Sequence, residues 1–196
     1  LPAAPVAREN KVVFVATISS HPELTSSGGF IYRVHTTDRV NADSAGIYAT
    51  RALRFKRAAG LFASSDYGRS LERFTRESFL REGGSWLLTE NFPQGSEDFR
   101  SQLTKIKNKN PEILFIAATV KETAQMLRQM VEFRMEIPVL GSSMLEDPKL
   151  VSLAGKAANR VYYHRAAPAV GAEGKKIEAA FKTKFAAKFP DKKPAI

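Results

Sequence analysis

Cysteine and long apolar segments are both absent from this chain of 196 residues. Without cysteine, the chain forms neither disulfide bonds nor zinc sites with thiolate ligands. The longest apolar run, at 113–120, is interrupted by Thr119 and is far shorter than the roughly 18 residues that span a bilayer. Residues 1–6 lack the basic start and sustained apolar core of a signal peptide, but the first residue is not Met, so export stays open.

Sequence motifs for catalysis are also missing. The chain has no G-x-S-x-G nucleophile elbow, no P-loop and no G-x-G-x-x-G fingerprint. His21, His35 and His164 are isolated and do not have the spacing of metal ligands. Met126 and Met130 are predicted to fill the core rather than to contact a cofactor. We therefore predict a protein that is not an enzyme, with no catalytic residue, no cofactor and no metal site.

The net charge is strongly positive, since 30 lysines and arginines face 20 acids and leave a formal charge of +10. Such a charge is compatible with an anionic partner, or with cations that only solvate helix faces. The cations are spread along the chain, and aromatic residues do not alternate with basic ones as they do in RNA-binding sheets. We therefore predict no nucleic-acid partner.

Predicted strands and helices alternate from residue 41 onward. Strands are predicted over 12–16, 30–34, 58–63, 85–90, 113–117, 138–140 and 160–163, and helices over 41–55, 68–82, 99–108, 122–133, 149–154 and 173–189. In the helix at 122–133, Leu127 and Val131 are expected to face inward. The first 40 residues contain two strands and hardly any helix. The predicted fold is α/β, a Rossmann-like three-layer αβα lobe with a mostly parallel sheet.

Two polar loops, each directly after a short apolar strand, are the strongest functional signal. The first is Thr17-Ile-Ser-Ser-His-Pro-Glu-Leu-Thr25, which is rich in hydroxyls, and the second is Asp66-Tyr67-Gly68, which offers one aromatic ring. Loops at the carboxyl ends of parallel strands are where open α/β sheets hold small ligands. Together the loops predict a binding surface for a small organic molecule.

The order and spacing of several short motifs carry a family resemblance. They are Ile18-Ser-Ser-His-Pro-Glu-Leu-Thr25, Tyr32-Arg33 followed by Asp38, Asp66-Tyr67-Gly68, Gly95 through Asp98-Phe99, Gln125-Met-Leu-Arg-Gln129, Ile137-Pro138 with Gly141, and Leu153-Ala154-Gly155. The chain resembles the type I periplasmic binding proteins of the leucine/isoleucine/valine-binding family. The resemblance implies a fragment that lacks most of the amino-terminal lobe and the carboxyl-terminal end: residues 1–40 correspond to a remnant of the amino-terminal lobe and the crossover, and residues 41–196 to the carboxyl-terminal lobe, incomplete at its end.

The same resemblance implies a set of ligand-binding residues. Ile18, Ser19 and Ser20 match the loop that holds the ligand's carboxylate, and Tyr67 matches a tyrosine that packs on the ligand. Short hydroxyls and free N–H groups bind an anion without a full opposing charge. Further ligand contacts are expected from Thr119 and Val120, where the family often has an aromatic residue, and from Ser143, where the amino-acid binders have an acid.

The missing acid at Ser143 bears on the identity of the ligand. A buried ammonium group without a carboxylate partner is costly, so a plain α-amino acid is disfavoured. Glu146 and Asp147 are close in sequence, but both have the pattern of cap residues for the next helix. A carboxylate, an amide or an aromatic acid without an amine fits these residues better.

The resemblance implies a periplasmic solute-binding protein of an ABC importer. Its partners are then a small amino-acid-like, carboxylate or amide ligand, which binds between two lobes, and a membrane permease. A homodimer is also expected, since a lone lobe exposes surface that its partner normally covers. The alternative function is a ligand-sensing domain of a receptor or regulator with the same fold.

Overall fold

The computed structural model describes residues 3–26, 28–164 and 171–190. Its strands are β1 (Phe14–Ala16), β2 (Ile31–Arg33), β3 (Arg57–Ala63), β4 (Ser85–Phe92), β5 (Ile113–Ala117), β6 (Val139–Gly141) and β7 (Val161–Tyr163). Its α-helices are α1 (Ala3–Glu9), α2 (Asp38–Ile47), α3 (Asp66–Arg81), α4 (Arg100–Lys109), α5 (Val120–Glu132), α6 (Lys149–Ala154) and α7 (Gly171–Lys188). Short 3₁₀ turns occur at Pro22–Leu24, Ser143–Glu146 and Gly155–Arg160, and a π-helical turn at Tyr48–Ala52.

Two compact units divide the chain, Leu1–Arg165 and Ala166–Ile196. The first contains both sheets. In the described part of the second, α7 carries Phe181 and Phe185, and Phe189 follows its last residue. The three rings lie 5.7 and 5.1 Å apart in sequence order, measured between centroids. Residues 191–196, at the predicted incomplete end of the lobe, lie outside the described residues.

Every strand pair in the described residues is parallel. The larger sheet has the order β4-β3-β5-β6-β7, and β1 pairs with β2 in a separate two-stranded sheet. Strand β5 is buried along its whole length because its sequence, Ile-Leu-Phe-Ile-Ala, is apolar on both faces. The loops that follow β3, β5 and β6 all lie at the carboxyl ends of the strands of this sheet. They contain the predicted site residues Tyr67, Thr119, Val120 and Ser143.

Helices cover both faces of the five-stranded sheet, so the lobe has the predicted three layers. Side chains on one face of β3 and β5 pack against Leu103 of α4 and Met130 of α5. Side chains on the other face pack against Ala49, Leu71 and Phe79, which come from the π turn after α2 and from α3. Burial of these apolar faces is the main driving force for the arrangement. Met126 and Met130 are buried in the core, as predicted.

A third, smaller core lies under the two-stranded sheet. It joins Ala4 and Ala7 of α1 to Ala16, Leu24 and Ile31. The helix α1 departs from the expectation of hardly any helix in the first 40 residues. Its sequence is Ala-Ala-Pro-Val-Ala-Arg-Glu, and the proline in it argues against a helix when the sequence is read alone. In the structure this proline lies in the first turn, where proline is tolerated.

Two details of the helices differ from the prediction. The helix expected over 41–55 is α-helical only to Ile47 and continues as the π turn, which adds a residue per turn and leaves Tyr48 46% exposed. The inward orientation expected for Val131 is wrong, since this side chain is 62% exposed. Leu127 and Met130 are buried, so the apolar stripe of α5 continues through Met130 and Val131 lies beside it.

Candidate functional site

A cleft of about 470 Å³ lies at the carboxyl edge of the sheet. Its walls are formed by Ile18, Ser20, His35, Asn41, Tyr67, Ser143 and Met144. Four residues predicted for the site, Ile18, Ser20, Tyr67 and Ser143, are therefore brought together from three separate segments. The volume is in the range of small-molecule sites.

The hydroxyl-rich loop after β1 is held by contacts to its own neighbours. The Arg33 guanidinium donates hydrogen bonds to the carbonyl of His21 at 2.6 Å and to Oγ1 of Thr25 at 2.9 Å. The carbonyl of Ser20 accepts a hydrogen bond of 2.8 Å from the N–H of Asp38. Ile18 remains 83% exposed, so the loop presents its apical residues to the cleft rather than to the core.

Tyr67 lies in the first turn of α3, which follows β3. Ser65 caps this helix by accepting a hydrogen bond from the N–H of Gly68 at 3.1 Å, so Tyr67 is not required as a cap. Burial raises the pKa of Tyr67, a hydrogen bond with the Ser142 side chain opposes this, and the nearby Asp38 carboxylate raises the pKa further. Tyr67 therefore stays a neutral phenol near pH 7 and presents both a ring face and a hydroxyl.

Ser143 follows β6 and begins a 3₁₀ turn. The preceding residue, Ser142, is the buried cap of that turn and accepts from the N–H of Met144 at 3.4 Å. The half-buried Ser143 is left to line the cleft. Asp147 accepts a hydrogen bond from the N–H of Lys149, the first residue of α6, at 2.9 Å, while the N-cap position of α6 is occupied by Pro148.

Thr119, Val120 and Ser19 are not among the residues that form the cleft walls. Thr119 is the N-cap of α5 and forms a capping box with Glu122: its hydroxyl accepts from the N–H of Glu122 at 3.3 Å, and its N–H donates to Oε2 of Glu122 at 2.8 Å. The hydroxyl also donates to Oε2 at 2.8 Å. Val120 packs against the core, and Ser19 is half-buried beside Ser20. Ligand contact by these three residues stays a prediction.

Sequence reasoning did not assign three of the cleft residues, His35, Asn41 and Met144. It also missed Asp38, whose side chain is fully buried and whose two carboxylate oxygens have no hydrogen-bond partner among the described residues. Asp38 was visible in the sequence only as part of a family motif. Its burial depends on the contact of α2 with the loop after β1, where the N–H of Asp38 donates to the carbonyl of Ser20.

His164, directly after β7, is a second polar group buried near the cleft. Burial lowers the pKa of His164, the nearby His35 lowers it further, and the Asp38 carboxylate opposes both effects. Its Nδ1 atom is buried without a hydrogen-bond partner in the described part of the chain. Asp38, His35, His164 and Tyr67 thus form an electrostatically connected group around the cleft.

Neither a group of metal ligands nor a membrane-spanning helix occurs among the described residues. Within 3–26, 28–164 and 171–190, no three His, Asp or Glu side chains are grouped so that they could hold a metal ion. No helix in these ranges has the length and apolar character needed to cross a bilayer.

A parallel α/β unit with a polar and aromatic cleft at the carboxyl edge of its sheet defines a lobe that binds small molecules. The profile of the family described as "Periplasmic binding protein" matches residues 1–195, so the chain belongs to that family. The predicted resemblance to the leucine/isoleucine/valine-binding type I proteins is confirmed, as are the α/β fold and the prediction of a binding protein rather than an enzyme.

Known relatives share the fold at low sequence identity. An amino acid binding protein of Pseudomonas aeruginosa is 25% identical over 156 residues, which cover 79% of this chain and 42% of the relative. A leucine binding protein of Thermotoga maritima superposes with a TM-score of 0.82 at 26% identity, covering 96% of this chain and 54% of that one. A solute-binding protein of Rhodopseudomonas palustris in complex with benzoate gives a TM-score of 0.76 at 17% identity, covering 95% of this chain and 51% of that one. The chain spans about half the length of these proteins.

Proposed function

We propose that this chain is part of a periplasmic solute-binding protein of an ABC importer, and that it binds a small carboxylate without breaking any bond. The single observation that carries this proposal is the cleft in which Ile18, Ser20, Tyr67 and Ser143 meet. Its hydroxyls and exposed backbone suit a carboxylate, and the Tyr67 ring suits an apolar body.

No carboxylate side chain is among the described residues that form the cleft walls. Ser143 stands where the amino-acid binders have an acid, so the position that elsewhere faces an ammonium group offers only a hydroxyl. The benzoate complex of the Rhodopseudomonas palustris protein supports an acid without an amine as a ligand for this fold. We therefore favour an aromatic or aliphatic carboxylate, or an amide.

Residues 1–40 are proposed to belong to an amino-terminal lobe and residues 41–196 to a carboxyl-terminal lobe. The two-stranded sheet supports this division, because Val13, Val15, Tyr32 and Val34 are each more than half exposed. Parallel strands normally bury both faces and rarely occur as an isolated pair. Ile18, Ser20 and His35 then contact the ligand from one lobe, and Tyr67 and Ser143 from the other. Thr119, Val120 and Ser19 are proposed to join when the lobes close.

Closure gives the proposed mechanism of transport. Contacts from both sides favour the closed form once ligand is bound, and a membrane permease recognises that form. The exposed apolar side chains of β1 and β2 also favour association of two copies, so a homodimer of this chain is proposed as well.

A second ligand class, amino acids, is favoured by one observation. Asp38 is a buried carboxylate without a hydrogen-bond partner in the described residues. Its negative charge contributes to the raised pKa of the Tyr67 hydroxyl. An ammonium group in the cleft gains from that charge even though Ser143 is neutral. The amino-acid binders among the relatives agree with this second class.

The test is a thermal-shift screen of the protein, at its full natural length, against leucine, benzoate, aliphatic carboxylates and their amides. A ligand that binds only the folded state must raise the melting temperature. Stabilisation by benzoate but not by leucine supports the carboxylate proposal. Stabilisation by leucine alone keeps the receptor and replaces its ligand class, and no response to any compound contradicts the proposed function.

A further inference from the structure

His35 lines the cleft in an orientation that fixes which of its ring nitrogens carries a proton. Its Nδ1 atom lies 2.9 Å from the carbonyl oxygen of Thr36. A carbonyl oxygen only accepts hydrogen bonds, so Nδ1 must carry the hydrogen and donate it. In the neutral ring the second nitrogen, Nε2, then carries a lone pair, and it has no hydrogen-bond partner among the described residues.

This tautomer has a consequence for the ligand. A carboxylate has only lone pairs to offer, so it is repelled by the neutral ring at Nε2 and attracted by the imidazolium form. A ligand group with N–H or O–H bonds has the opposite preference, because it donates to neutral Nε2. The pH dependence of binding therefore reports which chemistry the ligand presents to His35.

The charged and titratable groups around His35 come from three other elements. His164, after β7, interacts electrostatically with both His35 and Asp38, the first residue of α2. Tyr67 of α3 shares the cleft and is neutral near pH 7. The site thus contains one buried negative charge and two imidazoles, and an anionic ligand shifts this balance toward protonation of an imidazole.

We propose that His35 is a ligand-contact residue whose imidazolium form binds the carboxylate of an acid ligand, so that binding takes up one proton. This role rests on the proposed function, because it requires a carboxylate in the cleft. Histidine side chains change charge between about pH 5 and 8, so the effect falls in an accessible range. Affinity is greatest at the acidic end and declines as pH rises, because each binding event must then protonate the ring.

The experiment is isothermal titration calorimetry with benzoate between pH 5.5 and 8.0, a range chosen roughly to span histidine titration. Benzoate itself stays ionised throughout. The Kd is expected to rise toward a limit of about tenfold per pH unit, the slope for one linked proton. Titration in two buffers of different ionisation enthalpy at one pH measures the proton uptake directly.

Two variants locate the proton. His35→Gln keeps a polar donor at every pH and is expected to bind benzoate with a Kd that no longer depends on pH. His164→Gln is expected to retain the dependence. The melting temperature of each variant is measured as a control for folding.

Three results overturn the proposal. Benzoate binding whose Kd does not change with pH, or a dependence that survives in His35→Gln and disappears in His164→Gln, removes His35 from this role while leaving the proposed function intact. Absence of binding by the unmodified protein at every pH, to benzoate and leucine alike, contradicts both.

Discussion

The N–H of Asp38 donates a 2.8 Å hydrogen bond to the carbonyl of Ser20, which joins the first residue of α2 to the hydroxyl-rich loop after β1. The same contact holds α2 where the Asp38 carboxylate is buried beside the cleft, and in the described part of the chain that carboxylate has no hydrogen-bond partner. The position of the Asp38 carboxylate is therefore set by a backbone contact. Its contribution to ligand affinity depends on whether the ligand carries a positive charge.

Asp38→Asn separates the two ligand classes. The substitution keeps the size of the side chain and removes its charge, while the backbone bond to Ser20 remains. If the ligand carries an ammonium group, its Kd is expected to rise by at least about tenfold, or about 1.4 kcal/mol. The Kd for benzoate is expected to be unchanged or lower, and calorimetry with leucine and benzoate on the same preparation distinguishes these results.

Tyr67→Ala is expected to weaken ligand binding by about tenfold to a hundredfold, because an aromatic wall and a hydrogen-bonding hydroxyl are both lost. Tyr67→Phe retains the ring and should lose less, in line with the roughly 1 kcal/mol of one hydrogen bond. Tyr32→Phe, at an exposed position of β2 outside the cleft, is the matched control. Equal affinities for the unmodified protein and Tyr67→Ala would remove Tyr67 from the site.

Thr119→Ala is expected to lower the free energy of unfolding by about 1 kcal/mol, because the N-cap of α5 is lost. Thr119→Ser keeps the capping hydroxyl and should restore stability. The Thr119 hydroxyl is bonded to Glu122, so a ligand contact from this residue is left to its methyl group or backbone. A weaker ligand affinity in Thr119→Ser at unchanged stability would show contact through the methyl group, and urea unfolding with calorimetry measures both quantities.

Gly46→Ala is expected to destabilise the protein by about 2 kcal/mol through overpacking. A Cβ at this position lies 2.3 Å from Oγ and 2.6 Å from Cβ of Ser78, so α2 and α3 must separate to admit a methyl group. The exposed residue Ser44 on the same helix provides the control, and Ser44→Ala should change stability little. A stability of Gly46→Ala equal to that of the unmodified protein contradicts the close packing of the two helices.

Stability is expected to fall as the pH is lowered from about 6.5 to 5, near the ordinary pKa of histidine. The pKa of His164 is lowered in the folded protein by burial, so the unfolded chain binds the proton more readily there. Since the unfolded state then holds more protons, the free energy of unfolding decreases with falling pH. His164→Gln should show a smaller decrease than His21→Gln, and equal slopes in chemical denaturation would contradict this assignment.

The strands and helices of the larger sheet were predictable from local patterns. The apolar run at 113–117 predicts a strand buried on both faces, and the glycines after α3 predict the end of a helix. The structure agrees with both predictions. The helix α1 and the π turn after α2 were missed because their local sequence does not favour them. Tertiary contacts decide both, through the small core of Ala4, Ala7 and Ile31 and through the packing of α2 on α3.

The candidate site divides in the same way. Ile18, Ser20, Tyr67 and Ser143 were named from sequence because strand ends and family motifs mark them. His35, Asn41 and Met144 carry no such mark, since nothing in a short polar stretch tells which side chain faces a neighbouring loop. Only the folded chain brings these residues to the same cleft.

By itself, the sequence determined that the chain folds as a parallel α/β lobe, because hydrophobic periodicity and turn residues act over short distances. The polar loops after its strands and its family motifs placed it among ligand-binding proteins. The tertiary structure alone decided the electrostatics of the cleft. Burial of Asp38 and His164 depends on segments distant in the chain, and charge interactions depend on distance and solvent exclusion rather than on sequence separation.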